Sequence, residues 1–147
     1  MKIPTTLRLP FRGNYPITLG FGEKSPDTIV QSKFTTWGLG GHNGVDFGLP
    51  EGTSVLSCDK GKVIHAEIQD DYGLVIMIKH SWGTSLYAHL KELQVHLYQR
   101  VRRGQKIELS GRSGFVTGPH LHFGIRLHQT DELNGYGGYI NPFLFLP

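Results

Sequence analysis

The stretch "TSVLSCDKGKVIHAEIQDDYGLVIMIKHSWGTSLYAHL", residues 53–90, decides the fold. It divides into four runs rich in apolar and β-branched residues: Thr53–Cys58, Lys62–Ile68, Leu74–His80 and Thr84–Leu90. Between them stand only the turn-forming segments "DKG", "DDYG" and "SWG". Parallel strands would need long crossovers, so short turns in succession predict an antiparallel meander. Two later runs, Gln105–Gly111 and His120–His128, read as further strands, and "LKELQVHLYQRV" (90–101) as the one short helix. The load of 20 glycines and 8 prolines, with 8 Phe and 6 Tyr, points the same way. The fold class is therefore mainly β, in one domain spanning residues 1–147, long enough to bury a core.

Two stretches, residues 23–41 and 129–139, fit no strand and are rich in turn formers and polar groups. Long loops in a compact domain are often functional, and each ends near a candidate site, so both are expected to wall a cleft. The net charge of +3 favours anionic surroundings only mildly. No basic face with interleaved aromatics stands out, which argues against nucleic-acid binding. The N-terminal segment has no apolar run suited to a signal peptide or a membrane span. Cys58 is the sole cysteine, so neither an internal disulfide nor a thiolate cluster can form, and its apolar setting reads as a packed core residue.

The chemistry-bearing residues are histidines. "GGHNGVDFG" supplies His42 and Asp46, where the glycines argue for an irregular turn entering a strand rather than a helix. "GPHLHFG" places His120 and His122 two residues apart on one strand face, with Leu121 and Phe123 turned the other way. His89 ends the strand "SLYAHL". Each pair alone arises readily by chance; the combination carries the argument. A hydrolytic zinc site takes three N or O ligands and keeps a fourth position open. Any further histidine is then available for proton transfer near neutral pH. Strand geometry alone leaves open which of His120 and His122 is the ligand. No H-E-x-x-H motif supplies a glutamate base.

"HNGVDFGLPEGTSVLSCDKGKV", "LYAHL", "VRRGQKIELSG" and "SGFVTGPHLHFGI" together resemble the lysostaphin/LytM-type zinc metallopeptidases of the M23 family, over residues 42–142. "PFRGNYPITLGFGE" resembles that family's entry strand and "INPFLFL" its terminal strand. The resemblance implies a small antiparallel β-sheet domain of the duplicated-hybrid-motif type, with cleft-forming loops. It implies one Zn2+ per chain held by His42, Asp46 and His122, with His89 and His120 as the catalytic pair. That pair would act on the attacking water and on the oxyanion. It implies hydrolysis of peptide bonds in peptidoglycan stem peptides or cross-bridges, at the bacterial cell wall, by a monomeric chain, with a phage-derived lysin among the forms expected. No propeptide precedes the domain, so the site is expected to be open. Glu108 stands where the family commonly has glycine, and the 23–41 loop is longer than the minimal form.

A second reading is a catalytically inactive LytM-like domain that binds a partner and activates another wall hydrolase. Such relatives lose zinc ligands, whereas all five side chains are present here. A carbohydrate-handling or phosphocarrier domain leaves "HNGVD" unexplained. His65, His80, His96 and His128 read as structural or surface histidines. Trp37, Tyr136 and Tyr139 are either substrate contacts or loop packing. Tyr87, two residues before His89, is a candidate hydroxyl donor to the oxyanion.

Overall fold

The computed structural model describes residues 3–4, 6–92 and 94–147. In chain order the strands are β1 (Ile17–Leu19), β2 (Val45–Phe47), β3 (Ser54–Leu56), β4 (Gly61–Gln69), β5 (Gly73–Lys79), β6 (Gly83–Leu90), β7 (Arg100–Val101), β8 (Lys106–Leu109) and β9 (Leu121–Leu127). The helix α1 (Thr28–Thr36) lies between β1 and β2. A seven-stranded antiparallel sheet runs β1-β2-β9-β6-β5-β4-β7, and β3 pairs with β8 in a separate two-stranded sheet. The fold is mainly β, as the turn pattern of residues 53–90 predicts.

The meander forms over β4, β5 and β6, but β3 leaves it. Its continuation is held by other partners: Ser57 N–H donates to the Gln105 carbonyl, and Gly104 N–H donates to that of Ser57. Cys58 N–H donates to the Tyr87 hydroxyl. The "DKG" turn therefore carries the chain from one sheet to the other rather than between neighbours. Residues 90–101 do not form the expected helix. Around Leu93, which lies outside the described residues, the chain is irregular until Arg100 and Val101 pair with β4. Nor does "INPFLFL" become a strand. Ile140 makes one bridge to Ile125, then Asn141 caps a single 3-10 turn, Pro142–Leu144.

The apolar run of β5 has no polar alternation because both faces of the sheet are covered. One face, with Ile76, Ile78, Tyr87, Leu121 and Phe123, packs on Val55, Ile107 and Leu7 in the main core. The other presents Val75, Met77, Leu86 and Ala88 to Tyr139 and Phe21. The 129–139 loop supplies that second cover, fastened by Asn134 Nδ2 donating to the Tyr139 carbonyl (2.9 Å).

One chain of hydrogen bonds links polar groups inside the main core. The Tyr87 hydroxyl accepts from Cys58 N–H (2.9 Å) and shares a hydrogen bond with Ser85 Oγ (2.9 Å). Ser85 Oγ in turn meets His80 Nε2 (2.7 Å), while His80 Nδ1–H donates to the Lys60 carbonyl (2.7 Å). The His80 ring stacks on Trp82 at 4.6 Å. Cys58 is buried with its thiol pushed up to about 11, chiefly by burial, so it is a packed residue rather than a nucleophile.

Two outcomes follow. Tyr87→Phe strands the buried Cys58 amide and should lower the unfolding free energy by about 1–3 kcal/mol in urea titrations. Burial also holds the His80 imidazole below its ordinary pKa, despite the Lys60 carbonyl and Asp59 acting the other way. The unfolded chain therefore takes up the proton first, and this stability, complete above pH ~6.5, is lost as the pH falls below it. Urea midpoints should drop between pH 7 and pH 5, and His80→Gln should flatten part of that slope.

Candidate metal centre

The site is assembled on three adjacent strands. Register places Asp46 of β2 and Ala88 of β6 on either side of His122 in β9. Cross-strand neighbours share a face, so Asp46 and His122 meet directly, and the small Ala88 leaves room above them. His42 enters from the turn before β2. That turn closes against β9 because residue 44 is glycine: a Cβ there would lie 2.7 Å from the His122 ring and 2.6 Å from the Phe123 carbonyl. The glycines of "HNGVD" thus set the approach of His42 to His122.

Three donor atoms converge. His122 Nδ1 lies 3.0 Å from Asp46 Oδ1, and His42 Nε2 lies 3.1 Å from His122 Nδ1 and 3.3 Å from Asp46 Oδ1. A tetrahedral zinc with bonds of ~2.0–2.1 Å spaces its ligand atoms about 3.3–3.4 Å apart, so the trio fits that ion in donor type and spacing. His42 Nδ1–H donates to the Gly20 carbonyl (3.2 Å), which fixes the tautomer that leaves Nε2 as a lone pair. Burial alone would raise the Asp46 pKa, but the neighbouring His122 and His42 rings hold the carboxyl well below its ordinary range. The His122 imidazole is pushed down by burial, with Asp46 opposing. A cation requires an anionic carboxylate and imidazole nitrogens with free lone pairs.

His89 reaches the same cavity through a departure from strand geometry. Four residues of β6, Tyr87 to Leu90, stand opposite three of β5, Leu74 to Ile76. The extra residue is a β-bulge, and His89 within it adopts φ 62°, a left-handed conformation uncommon outside glycine. Simple alternation would have sent His89 into the core after Tyr87; the bulge turns it toward His120, ring centres 4.7 Å apart. Its Nδ1–H donates to the Ser113 carbonyl (2.8 Å). Burial first, then the charges of His120 and His122, lower its pKa to about 3, so it is neutral at physiological pH. His120 stands one residue before β9, with Nδ1–H on the Gly118 carbonyl (3.0 Å) and Nε2 3.5 Å from Asp46 Oδ2. The structure brings together all five sequence-derived site residues around one cavity of about 220 Å³.

The bulge also corrects the place of Tyr87. Its hydroxyl faces the core, not the cavity, and cannot serve as a donor there. The phenol in the cavity is Tyr72, whose hydroxyl accepts from Asn43 Nδ2 at 3.0 Å. Burial pushes the Tyr72 pKa upward, keeping the hydroxyl protonated. Sequence reading missed both; Asn43, next to His42, was the available signal. His80 is the hydrogen-bonded core histidine described above, while His65, His96 and His128 are exposed.

Residues 23–41 do line the cavity, through Val30, Lys33 and Phe34 of α1 and through the segments that flank it. Asp27 caps the helix by accepting from Ile29 and Val30 N–H, and Phe34, its buried residue, stacks on the His42 ring at 5.6 Å. Lys33 reaches across to Asp71 at 3.4 Å and lies 4.5 Å over the Phe115 ring. Trp37 lines the cavity while nearly half exposed. Residues 129–139 contribute nothing to the cavity lining; Tyr139 is taken up covering the sheet, and Leu133 is exposed. Tyr136 packs on Phe21 at 4.8 Å and Tyr139 under Arg126 at 5.2 Å, so both are packing residues. Glu108 is buried away from the site and accepts from Leu109 N–H at 2.6 Å.

Comparison with known proteins agrees with this geometry. The chain is 41% identical over 108 residues to the peptidoglycan DD-endopeptidase ShyB of Vibrio cholerae, covering 73% of this chain and 24% of that protein. An uncharacterized metalloprotease of Buchnera aphidicola is 34% identical over 127 residues, 86% of this chain and 32% of the relative. The chain thus spans less than a third of the length of these relatives. Among solved structures, the catalytic domain of the antimicrobial peptidase lysostaphin from Staphylococcus simulans aligns with TM-score 0.74 and 28% identity. That match covers 89% of this chain and 91% of the other. A zinc-containing peptidase from Vibrio cholerae aligns with TM-score 0.71 and 34% identity, over 91% of this chain and 38% of that one. The model of peptidase family M23 matches residues 40–140, a span that holds every strand of the site, and the chain belongs to that family.

Proposed function

We propose that the chain is a zinc metalloendopeptidase that hydrolyses peptide bonds in peptidoglycan stem peptides or cross-bridges. The observation that carries this reading is the trio His42 Nε2, Asp46 Oδ1 and His122 Nδ1 at 3.0–3.3 Å, with two further imidazoles facing the same cavity. Similarity to proteins named peptidoglycan endopeptidases supports the substrate class. Such a substrate would place its action at the bacterial wall. No helix among the described residues is long and apolar enough to cross a membrane.

In this reading His42, Asp46 and His122 would hold one zinc ion. Zinc, when bound, supplies Lewis-acid activation of water and of the scissile carbonyl. The Nδ1–H of His120 is committed to Gly118, so its Nε2 lone pair faces the cavity and takes the proton of the attacking water. The imidazolium so formed returns that proton to the leaving amine as the C–N bond breaks. His89, tied by Nδ1–H to Ser113 and neutral, offers a second acceptor that orients the water. Trp37 and α1 form the wall along which the peptide lies.

Mass spectrometry of muropeptides released from defined walls should show new peptide termini, abolished by chelator and restored by zinc. His122→Ala should lose both zinc and turnover. His120→Ala should keep zinc at about one per chain and lose about 10²–10⁴-fold in turnover. Turnover retained in His120→Ala would contradict the roles given to the two histidines of "GPHLHFG".

A further inference from the structure

Resting on the hydrolytic reading, we infer that Tyr72 is a further catalytic residue, its hydroxyl donating a hydrogen bond to the oxyanion of the tetrahedral species. The tautomers leave a place for such a donor beside the Lewis acid. His89 and His120 each commit Nδ1–H to a backbone carbonyl, so neither neutral ring has an N–H left for a developing negative charge. Two other polar groups lining the cavity are engaged elsewhere: Thr18 Oγ1 donates to the Asp46 carbonyl, and Lys33 is held on Asp71.

Tyr72 closes the short 3-10 turn between β4 and β5, where Gly73 at φ 66° reverses the chain. Its ring lies 5.3 Å from that of His122 and 6.4 Å from that of His89. Its oxygen accepts from Asn43 Nδ2, and Asn43 is itself buried beside His42. A hydroxyl that accepts one hydrogen bond is polarised to donate another, and Asn43 fixes the direction in which it does so. As water adds to the carbonyl carbon, the C=O pair moves to oxygen and the water proton passes to His120 Nε2. Tyr72 keeps its proton throughout and stabilises the oxygen by hydrogen bonding. Asn43 acts as a positioning residue.

The test is Tyr72→Phe in the zinc-loaded chain. Turnover of a defined muropeptide should fall about 10²–10³-fold, the cost of one oxyanion donor. KM should stay within about three-fold, with zinc content and melting temperature as in the parent chain. Binding of a phosphinic peptide, which mimics the tetrahedral species, should weaken by a similar factor, while a cleaved product peptide should bind unchanged. Asn43→Ala should give a smaller loss of the same pattern. Parent-like turnover and phosphinic-peptide binding in Tyr72→Phe overturns this inference alone. A parent chain that releases no muropeptide overturns the hydrolytic reading and the inference with it.

Discussion

The structure depends on the cross-strand pair of Asp46 and His122. An ionised carboxylate that is largely buried is costly unless it is paired, and here the His122 and His42 rings beside it keep it ionised. The pair needs β2 directly beside β9, and that adjacency fixes one side of the sheet. It also needs Gly44, since any side chain there would press on the His122 ring and hold the turn off β9. Once the pair is set, His42 can approach only from the turn before β2. The donor set is thus a consequence of strand order and one glycine.

The surrounding architecture keeps that pair rigid without enclosing it. Both faces of β5 and β6 are packed, one by the main core and the other by Tyr139 and Phe21, so these strands cannot slide in register. On the open side, α1 leans Phe34 on His42 and carries Trp37 to the rim. Its ion pair with Asp71 is partly exposed and adds little stability, but with Phe115 it ties the helix across the cleft. The site is therefore held firmly from below and bridged loosely from above, as an extended peptide substrate would require.

Much of this was legible in the sequence, for identifiable reasons. The β4–β6 meander and the strand that carries His122 were readable because turns and apolar runs report local geometry. The convergence of His42, Asp46, His89, His120 and His122 was expected from spacing and family resemblance together. What escaped depends on non-local structure. Nothing in "TSVLSC" marks β3 for a different sheet, since its partner β8 lies some fifty residues on. The bulge that turns His89 outward and Tyr87 inward is a register event between two strands, invisible in either alone. The helix α1 has one buried residue, Phe34, and so shows no apolar stripe, although Asp27 was a readable cap. Tyr72 escaped because the sequence places it in a turn, far from every histidine motif.

The central claim is that the carboxylate and two imidazoles of β2, its preceding turn and β9 form a single zinc site. Diffraction from zinc-loaded crystals on either side of the zinc absorption edge tests it most directly. The account predicts one anomalous peak, bonded to His42 Nε2, one oxygen of Asp46 and His122 Nδ1, with His89 and His120 facing it without bonding. A peak bonded to His120 or His89, or none among these five side chains, would contradict it.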